Sequence, residues 1–477
     1  MNPEFYPLAE ALADLRAAGL PAMAHVRTAA GWQAIADAAV AGGFHGAVLD
    51  SREAADGRLF VALPGSRVHG RQYVGAAMLA GAHALSDAAP APDVAAGDRT
   101  LLLTPDPLAA LDVLARCWRA RLTVRIAAIT GSNGKTTTKD FLGAALQAAG
   151  PSYATRGNLN SAQGVPVSLL DLSAEHRYAV IEMGASAVGH IAARAGAVAP
   201  EVGVITNAAA AHLAEFGSLE QIIEGKGELV AALPATGRAI LNADSPGFAD
   251  WCRRAPCPVV SWGREAGDHR WTWRPGDGAA PGELQLDGEP WPVPLPGRHN
   301  GANLVAAILA ARALGLDDGQ IREGLRGFRP SPHRAHVLRL GGRVVLDDSY
   351  NANPTGMLAA ARMLCDLPGG AAVAVLGMMA ELGPESDRLH RECGTALAHL
   401  DLALLVAVGA GIAPLAEGFA AAGGRVEACT DPDAAAAVLA AATVPGDRIL
   451  VKGSRSAGME RVLAALADRQ GWKEETP

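Results

Sequence analysis

The pattern of apolar and polar positions is sharpest at residues 125–150. An apolar run from Arg125 to Ile129 reads as a buried parallel strand, and the residues from Lys135 to Gly150 read as a helix. Between them stands Gly131-Ser132-Asn133-Gly134-Lys135-Thr136-Thr137-Thr138. Further strand–helix alternation follows at Tyr178–Gly184, Val202–Asn207 and Arg238–Asp244, which predicts a parallel sheet with helical crossovers. After Arg329-Pro-Ser-Pro-His-Arg334, a stretch of hinge composition, a fresh alternation runs through Val344–Asp348, Ala371–Leu376, Leu402–Val408 and Ile449–Lys452. It predicts an open doubly wound sheet of its own. Ahead of all this, Phe60–Leu63 reads as a short strand turned by Pro64-Gly65, and Leu108–Leu122 as a helix. Residues 1–24 fit an amphipathic helix around Leu8, Leu12 and Leu15, or equally a dispensable extension with Met23 as an alternative start. The expected class is α/β with a central parallel-sheet domain. Its parts are an extension (1–25), a first domain (26–104), a central domain (105–330) and a C-terminal Rossmann-like domain (331–477).

Composition narrows the partners. A net charge of −8 over 477 residues implies no basic face and argues against nucleic acid, while leaving room for anionic small ligands in local loops. The longest apolar runs, Leu402–Ala416 and Leu367–Ala380, are broken by Gly and Pro, so no transmembrane helix is expected. Glu4 and Glu10 precede any apolar stretch, which is not a signal peptide. The six cysteines are scattered, as expected of reduced, mostly buried thiols in a cytosolic protein, and no zinc site is completed. Five of the eight tryptophans fall between Trp251 and Trp291, amid Pro and Gly, and predict a small β-rich patch at a sheet edge.

A strand, a Gly-rich turn and a helix N-terminus together make an anion site, because free N–H groups and the helix dipole point at bound phosphate. Lys135 would reach the β- and γ-phosphates, and the Thr136 hydroxyl would ligate Mg²⁺. Glu182 and Asn207 stand at strand carboxyl ends, with His212 in the loop beyond Asn207. A strand-end Glu is often merely solvated, and a loop His is more often structural. Ser51, Arg52 and Arg67 on adjoining loops could hold a diphosphate, although surface arginines are common. Asn300 and Asn303 open an Ala-rich helix, where Asn caps by preference and can also set an amide against adenine.

The ordered set of motifs resembles the Mur ligase superfamily. It comprises Gly131–Thr138, Gly157-Asn158-Leu159-Asn160 with Gly164-Val-Pro166, Glu182-Met-Gly184, Thr206-Asn207 with His212, Lys226-Gly-Glu228, and His299-Asn300 with Asn303. Asp347–Pro354, Met379-Ala-Glu-Leu-Gly383 and Val451-Lys452-Gly-Ser454-Arg455 narrow the likeness to the members that add D-alanyl-D-alanine. The resemblance implies an N-terminal UDP-sugar domain, a central ATPase and a C-terminal Rossmann-like domain. It also implies ATP-dependent joining of D-alanyl-D-alanine to a UDP-N-acetylmuramoyl-tripeptide through an acyl phosphate, in cytoplasmic cell-wall precursor synthesis. Nothing calls for more than a monomer.

The same resemblance implies residue roles. Gly131, Ser132, Asn133, Gly134, Lys135, Thr136 and Thr137 would cradle ATP. Asn303 would face adenine, and Asp348 with Asn351 the ribose side. Thr136 and Glu182 would hold one Mg²⁺. His212 and a carbamylated Lys226 would serve a second, since an ammonium repels the metal and a carbamate can ligate it. Arg334 resembles the arginine that reaches the transferring phosphate. Ser51, Arg52, Asn158, Asn160, Lys452, Ser454 and Arg455 would bind the acceptor and donor. Met378 stands where the family usually has Asp, and Ser161-Ala-Gln163 departs from the usual apolar residue before Gly164. A sister ligase adding the third residue, or a folylpolyglutamate synthetase, is the rival within the class; a nucleotide-dependent switch is the rival outside it. The diaminopimelate-adding ligase carries Asp-Asn-Pro-Arg, which is missing here. Whether the tripeptide ends in lysine or diaminopimelate is not readable.

Overall fold

The computed structural model describes residues 5–65, 68–91, 94–95, 99–209, 213–276 and 282–473. The chain forms two compact units. The first comprises Met1–Ala128, Gly150–Gly184 and Ala192–Glu201, and the second Ile129–Ala149, Ala185–Ile191 and Val202–Pro477. The division passes through the strand Arg125–Thr130.

In the first unit, a six-stranded sheet runs in the order Gly31–Ala34, Met23–Thr28, Leu101–Leu103, His83–Ser86, Leu59–Val61 and Ala47–Val48. Its last four strands are parallel, and the first two pairings antiparallel. The amphipathic reading of the N-terminus holds for the helix Leu8–Ala17, which buries Leu8, Ala11, Leu12 and Leu15. This segment is packed rather than appended. Tyr6 stacks on Trp118 at 5.1 Å between ring centres, and Asp14 pairs with Arg121 at 2.7 Å. Beside these elements Ser152–Ala154 pairs parallel with Tyr178–Glu182, whose five residues are all buried. A strand closed off on both faces must be apolar throughout, as Tyr-Ala-Val-Ile-Glu nearly is.

The second unit holds two sheets. Val202–Ile205, Arg238–Asn242 and Val259–Gly263 run parallel, and His269–Pro275, Gly282–Leu286 and Glu289–Pro292 extend them as an antiparallel ribbon at the edge. The tryptophan-rich patch is thus β-rich as expected, with Trp262, Trp271 and Trp291 buried. Trp251 departs from it, lying on the helix Phe248–Arg254 with its indole N–H donating to Ile223 O at 2.9 Å.

The last sheet is ordered His336–Leu340, Arg343–Asp347, Arg448–Lys452, Ala372–Gly377, Leu404–Val408 and Val426–Cys429. All its pairings but the first are parallel. Apolar side chains cover both of its faces, Leu346, Leu376 and Leu405 on one and Val345, Val375 and Val406 on the other, as the period of two in a strand requires. Its carboxyl ends put Asp347, Gly377 and Lys452 on three neighbouring strands. Among the described residues, no helix is long and apolar enough to cross a membrane. The six cysteines are free thiols, three buried and three partly so.

Candidate active site

The phosphate loop lies in the second unit, where the strand end at Thr130 meets the helix Lys135–Ala149. Gly131 (φ 148°) and Gly134 (φ 81°) are in conformations that side chains resist. Space forbids a side chain as well. A Cβ on Gly131 would stand 1.9 Å from Thr206 Oγ1, and one on Gly134 2.1 Å from Asn303 Oδ1. Hydrogen bonds hold the loop to the neighbouring strand end: Ser132 N–H donates to Asn207 O at 3.0 Å, and Asn133 N–H to Asn207 Oδ1 at 3.0 Å. Thr206 Oγ1 donates to Asn133 O at 2.6 Å, and Ser132 Oγ bridges Ala209 O and N–H, each at 3.0 Å. Lys135 Nζ folds back on Gly131 O at 2.7 Å and Ser132 O at 3.2 Å, and Thr136 and Thr137 are buried in the first turn.

Asn133 Oδ1 accepts from Asn353 Nδ2 at 2.6 Å, while Asn133 Nδ2 is buried without a partner. A buried amide donor with no acceptor, two residues before a helix N-terminus, fits an anion such as a nucleotide phosphate.

The Asn pair departs from the capping expectation. Gly297 caps the helix Arg298–Ala313. Asn300 Nδ2 instead donates to Pro296 O at 2.7 Å, and Asn303 Nδ2 to Asn300 Oδ1 at 3.3 Å. That relay aims Asn303 Oδ1 at Gly134. His299, one residue before, is partly buried; burial lowers its imidazole to about 4, helped by the Lys452 and Arg298 charges and opposed by Asp348.

The hinge-like stretch Arg329–Arg334 is stitched to the loop after the strand Arg343–Asp347. His333 (φ 62°) and Ala335 (φ 49°) both take left-handed conformations, flanking Arg334. Four contacts offset that strain. His333 Nδ1 meets Asp347 Oδ2 at 2.7 Å, Tyr350 N–H donates to His333 O at 3.1 Å, and Ala335 N–H to Asp348 Oδ1 at 3.2 Å. The Arg334 guanidinium lies over the Tyr350 ring at 4.0 Å. Asp348 is also ion-paired with buried Lys452 at 2.5 Å, whose Nζ donates to Asn351 O at 2.8 Å. Asp348, Asn351 and Lys452 are therefore one cluster, in which the lysine organises the loop. Ser454 is buried and exchanges a hydrogen bond with Ser456 at 3.1 Å, whereas Arg455 is exposed beside Glu460. Met378 O accepts the Ser454 N–H at 2.9 Å.

Lys226 is almost fully buried in the helix Leu219–Ala231, its Nζ 5.3 Å from the centre of the Phe216 ring. His212 and Arg67 lie outside the described residues.

In the first unit, Glu182 ends its strand fully buried. Oε1 accepts from Asn160 Nδ2 at 2.6 Å, and the Glu182 N–H donates to Thr155 Oγ1 at 3.0 Å. Oε2 is buried with no partner. An orphaned carboxylate oxygen is costly unless a cation meets it, and oxygen is the donor that Mg²⁺ takes. Among the described residues no group of three or more His, Cys, Asp or Glu side chains converges. Asn158 is exposed, and its O accepts the Asn160 N–H at 2.7 Å. Ser51 and Arg52 form one turn. Asp50 accepts from the Arg52 guanidinium and N–H there, which lowers its carboxyl to about 2 and occupies much of the arginine's charge.

Asn353, Tyr350 and His333 lie in stretches that motif reading singled out, but it gave none of them a role of its own. Asn353 carries the one local signal: an Asn before Pro354 is a helix N-cap, and its Oδ1 accepts the Gly356 N–H at 2.8 Å.

Comparison with known proteins agrees with this geometry. Residues 129–311 match the Mur ligase middle domain, and residues 333–455 the Mur ligase, glutamate ligase domain. A UDP-N-acetylmuramoyl-tripeptide--D-alanyl-D-alanine ligase of Synechocystis is 37% identical over 87% of this chain and 90% of its own. A crystal structure of MurF from Acinetobacter baumannii superposes with a TM-score of 0.79 at 33% identity, covering 89% of this chain and 93% of that one. MurF ligase from Thermotoga maritima in complex with ADP gives 0.74 at 27% identity, over 88% and 97%. The resemblance carried by the motifs is thereby borne out, and the chain belongs to the Mur ligase family of ATP-dependent ligases.

Proposed function

We propose that this enzyme forms the amide between the terminal carboxylate of UDP-N-acetylmuramoyl-tripeptide and the amine of D-alanyl-D-alanine, at the expense of ATP. The observation that carries this reading is the phosphate loop, with its two side-chain-intolerant glycines and the unpartnered Asn133 amide. A carboxylate is a poor electrophile. Its oxygen attacks the γ-phosphorus, ADP leaves, and the acyl phosphate is then open to the amine, which expels inorganic phosphate as the amide forms. Catalysis is positioning and charge neutralisation rather than covalent work by the protein.

Each residue then has a task. Lys135 screens the phosphate charge, with Gly131, Ser132, Asn133, Gly134 and Thr137 supplying the cradle. Arg334, held over the Tyr350 ring, extends its guanidinium to the transferring phosphate. Asn303 meets adenine, and Asp348 with Asn351 the ribose. Thr136 in the second unit and Glu182 in the first are each Mg²⁺ ligands; the metal supplies charge neutralisation on the phosphates. Lys226 carries a carbamate formed with CO₂, and with His212 serves a second Mg²⁺. Ser51, Arg52, Asn158 and Asn160 act on the UDP-linked acceptor, and Lys452, Ser454 and Arg455 on the D-alanyl-D-alanine side. The enzyme works as a cytoplasmic monomer.

Two measurements test this. Mass spectrometry of a reaction with ATP, UDP-tripeptide and D-alanyl-D-alanine should show the UDP-pentapeptide, and no product when either co-substrate is omitted. With ¹³C-bicarbonate, a carbamate carbon resonance should appear and vanish in Lys226→Ala; an unmodified Lys226 in active, Mg²⁺-loaded enzyme would rule out the carbamate.

A further inference from the structure

Asp171, just beyond the helix Gly164–Leu170, is buried with only 5% of its side chain exposed. Two guanidiniums converge on it. Arg58 Nη1 reaches Oδ1 at 2.7 Å from the first sheet, 113 residues away in sequence, and Arg156 Nη2 takes Oδ2. Tyr153 OH lies 3.5 Å from Oδ2, and burial followed by the Asp171 charge raises that phenol to about 12, so it stays protonated. The backbone is shaped around the cluster: a Cβ on Gly46 (φ 77°) would stand 1.8 Å from Arg58 Nη1 and 2.3 Å from Asp171 Oδ1.

Two cations on one carboxylate leave a surplus positive charge, more than burial of a simple ion pair requires. Arg156 is the more exposed of the two, at 49% of its side chain against 24% for Arg58. It also opens the turn Arg156–Asn160. That turn is tightly seated: a Cβ on Gly164 would lie 2.5 Å from Leu159 backbone, and Asn160 O accepts the Gly184 N–H at 2.9 Å. From the end of the turn, Asn160 Nδ2 reaches Glu182 Oε1. One continuous path therefore runs from the first sheet through Arg58, Asp171 and Arg156 to the carboxylate with the orphaned oxygen.

We infer that Asp171, with Arg58 and Arg156, is a positioning clasp that fixes the Arg156–Asn160 turn, and so presents Asn158 and Asn160 to the UDP-linked acceptor. The functional half of this rests on the acceptor role proposed above for Asn158 and Asn160; the clasp itself does not.

Arg156→Gln leaves a neutral Arg58–Asp171 pair, so it should fold normally. It should raise KM for UDP-tripeptide about tenfold, with KM for ATP changed less than twofold, and Arg156→Lys should recover part of the loss. In the substrate-free protein, Arg156→Gln should speed hydrogen exchange at the Gly184 amide, whose acceptor sits on the turn. Asp171→Asn should lower Tm by leaving two facing cations, and Asp171→Asn with Arg156→Gln should regain Tm but keep the raised KM. Unchanged Gly184 exchange in Arg156→Gln would overturn the clasp. Faster exchange with unchanged KM for UDP-tripeptide would overturn its link to the acceptor. Absence of ligation by the wild type would instead count against the proposed function, and the exchange experiment would still judge the clasp.

Discussion

Asn133 spends its N–H on Asn207, its carbonyl on Thr206 and Asn207, and its Oδ1 on Asn353, and keeps a buried Nδ2 in hand. Beside it, Lys135 rests on two loop carbonyls that phosphate oxygens outcompete as acceptors for an ammonium. Lys135→Ala should therefore keep the fold, by circular dichroism, and lose on the order of 10²–10³ in turnover. Near-normal turnover would move the phosphate site elsewhere. His299 makes a second residue-scale prediction. Its imidazole is held at about 4 against an ordinary 6.5, so it is neutral in the fold at pH 7. Below pH 6.5 the unfolded chain takes up a proton that the folded one refuses until about pH 4, so stability falls as pH falls through that window. The contribution is at most about 1.4 kcal/mol per pH unit. Urea midpoints at pH 7 and pH 5 should differ less in His299→Gln than in the wild type.

At the scale of elements, the helix Pro354–Asp366 is tied to the phosphate loop by its own N-cap. Asn353 Oδ1 caps the helix and Nδ2 holds Asn133. The two jobs separate by substitution. Asn353→Asp keeps an acceptor for the cap, loses the donor, and sets an anion beside the phosphates. It should leave Tm nearly unchanged while weakening ATP binding by calorimetry. Asn353→Ala should lose both, with about 1 kcal/mol of stability from the cap alone. ATP affinity equal to the wild type's in both variants would show that the amide link does nothing for nucleotide. The dual use also explains why motif reading gave this residue no role of its own, since Asn-Pro reads fully as a helix start and leaves nothing over to explain. Asn300 and Asn303 erred the other way: good capping residues by type, they sit about one and two turns too deep, and Gly297 takes the cap.

Across the whole molecule, what was legible followed local rules. The phosphate loop shows itself because glycine, lysine and threonine must stand at fixed offsets between a strand and a helix. The strands Tyr178–Glu182, Ala372–Gly377 and Leu404–Val408 show themselves as unbroken apolar runs, which burial on both faces demands. The Asp171 clasp does not, because its partners stand 113 and 15 residues away and neither arginine is unusual on a loop. The Arg334–Tyr350 stack is hidden similarly, since two left-handed residues place it and neither is glycine. The central claim, that this chain activates a carboxylate with ATP and passes it to an amine, predicts the fate of one oxygen atom. UDP-tripeptide labelled with ¹⁸O in its terminal carboxylate should yield inorganic phosphate carrying one ¹⁸O per amide formed. Unlabelled phosphate from a reaction that does form the amide would contradict the acyl phosphate and the account built on it.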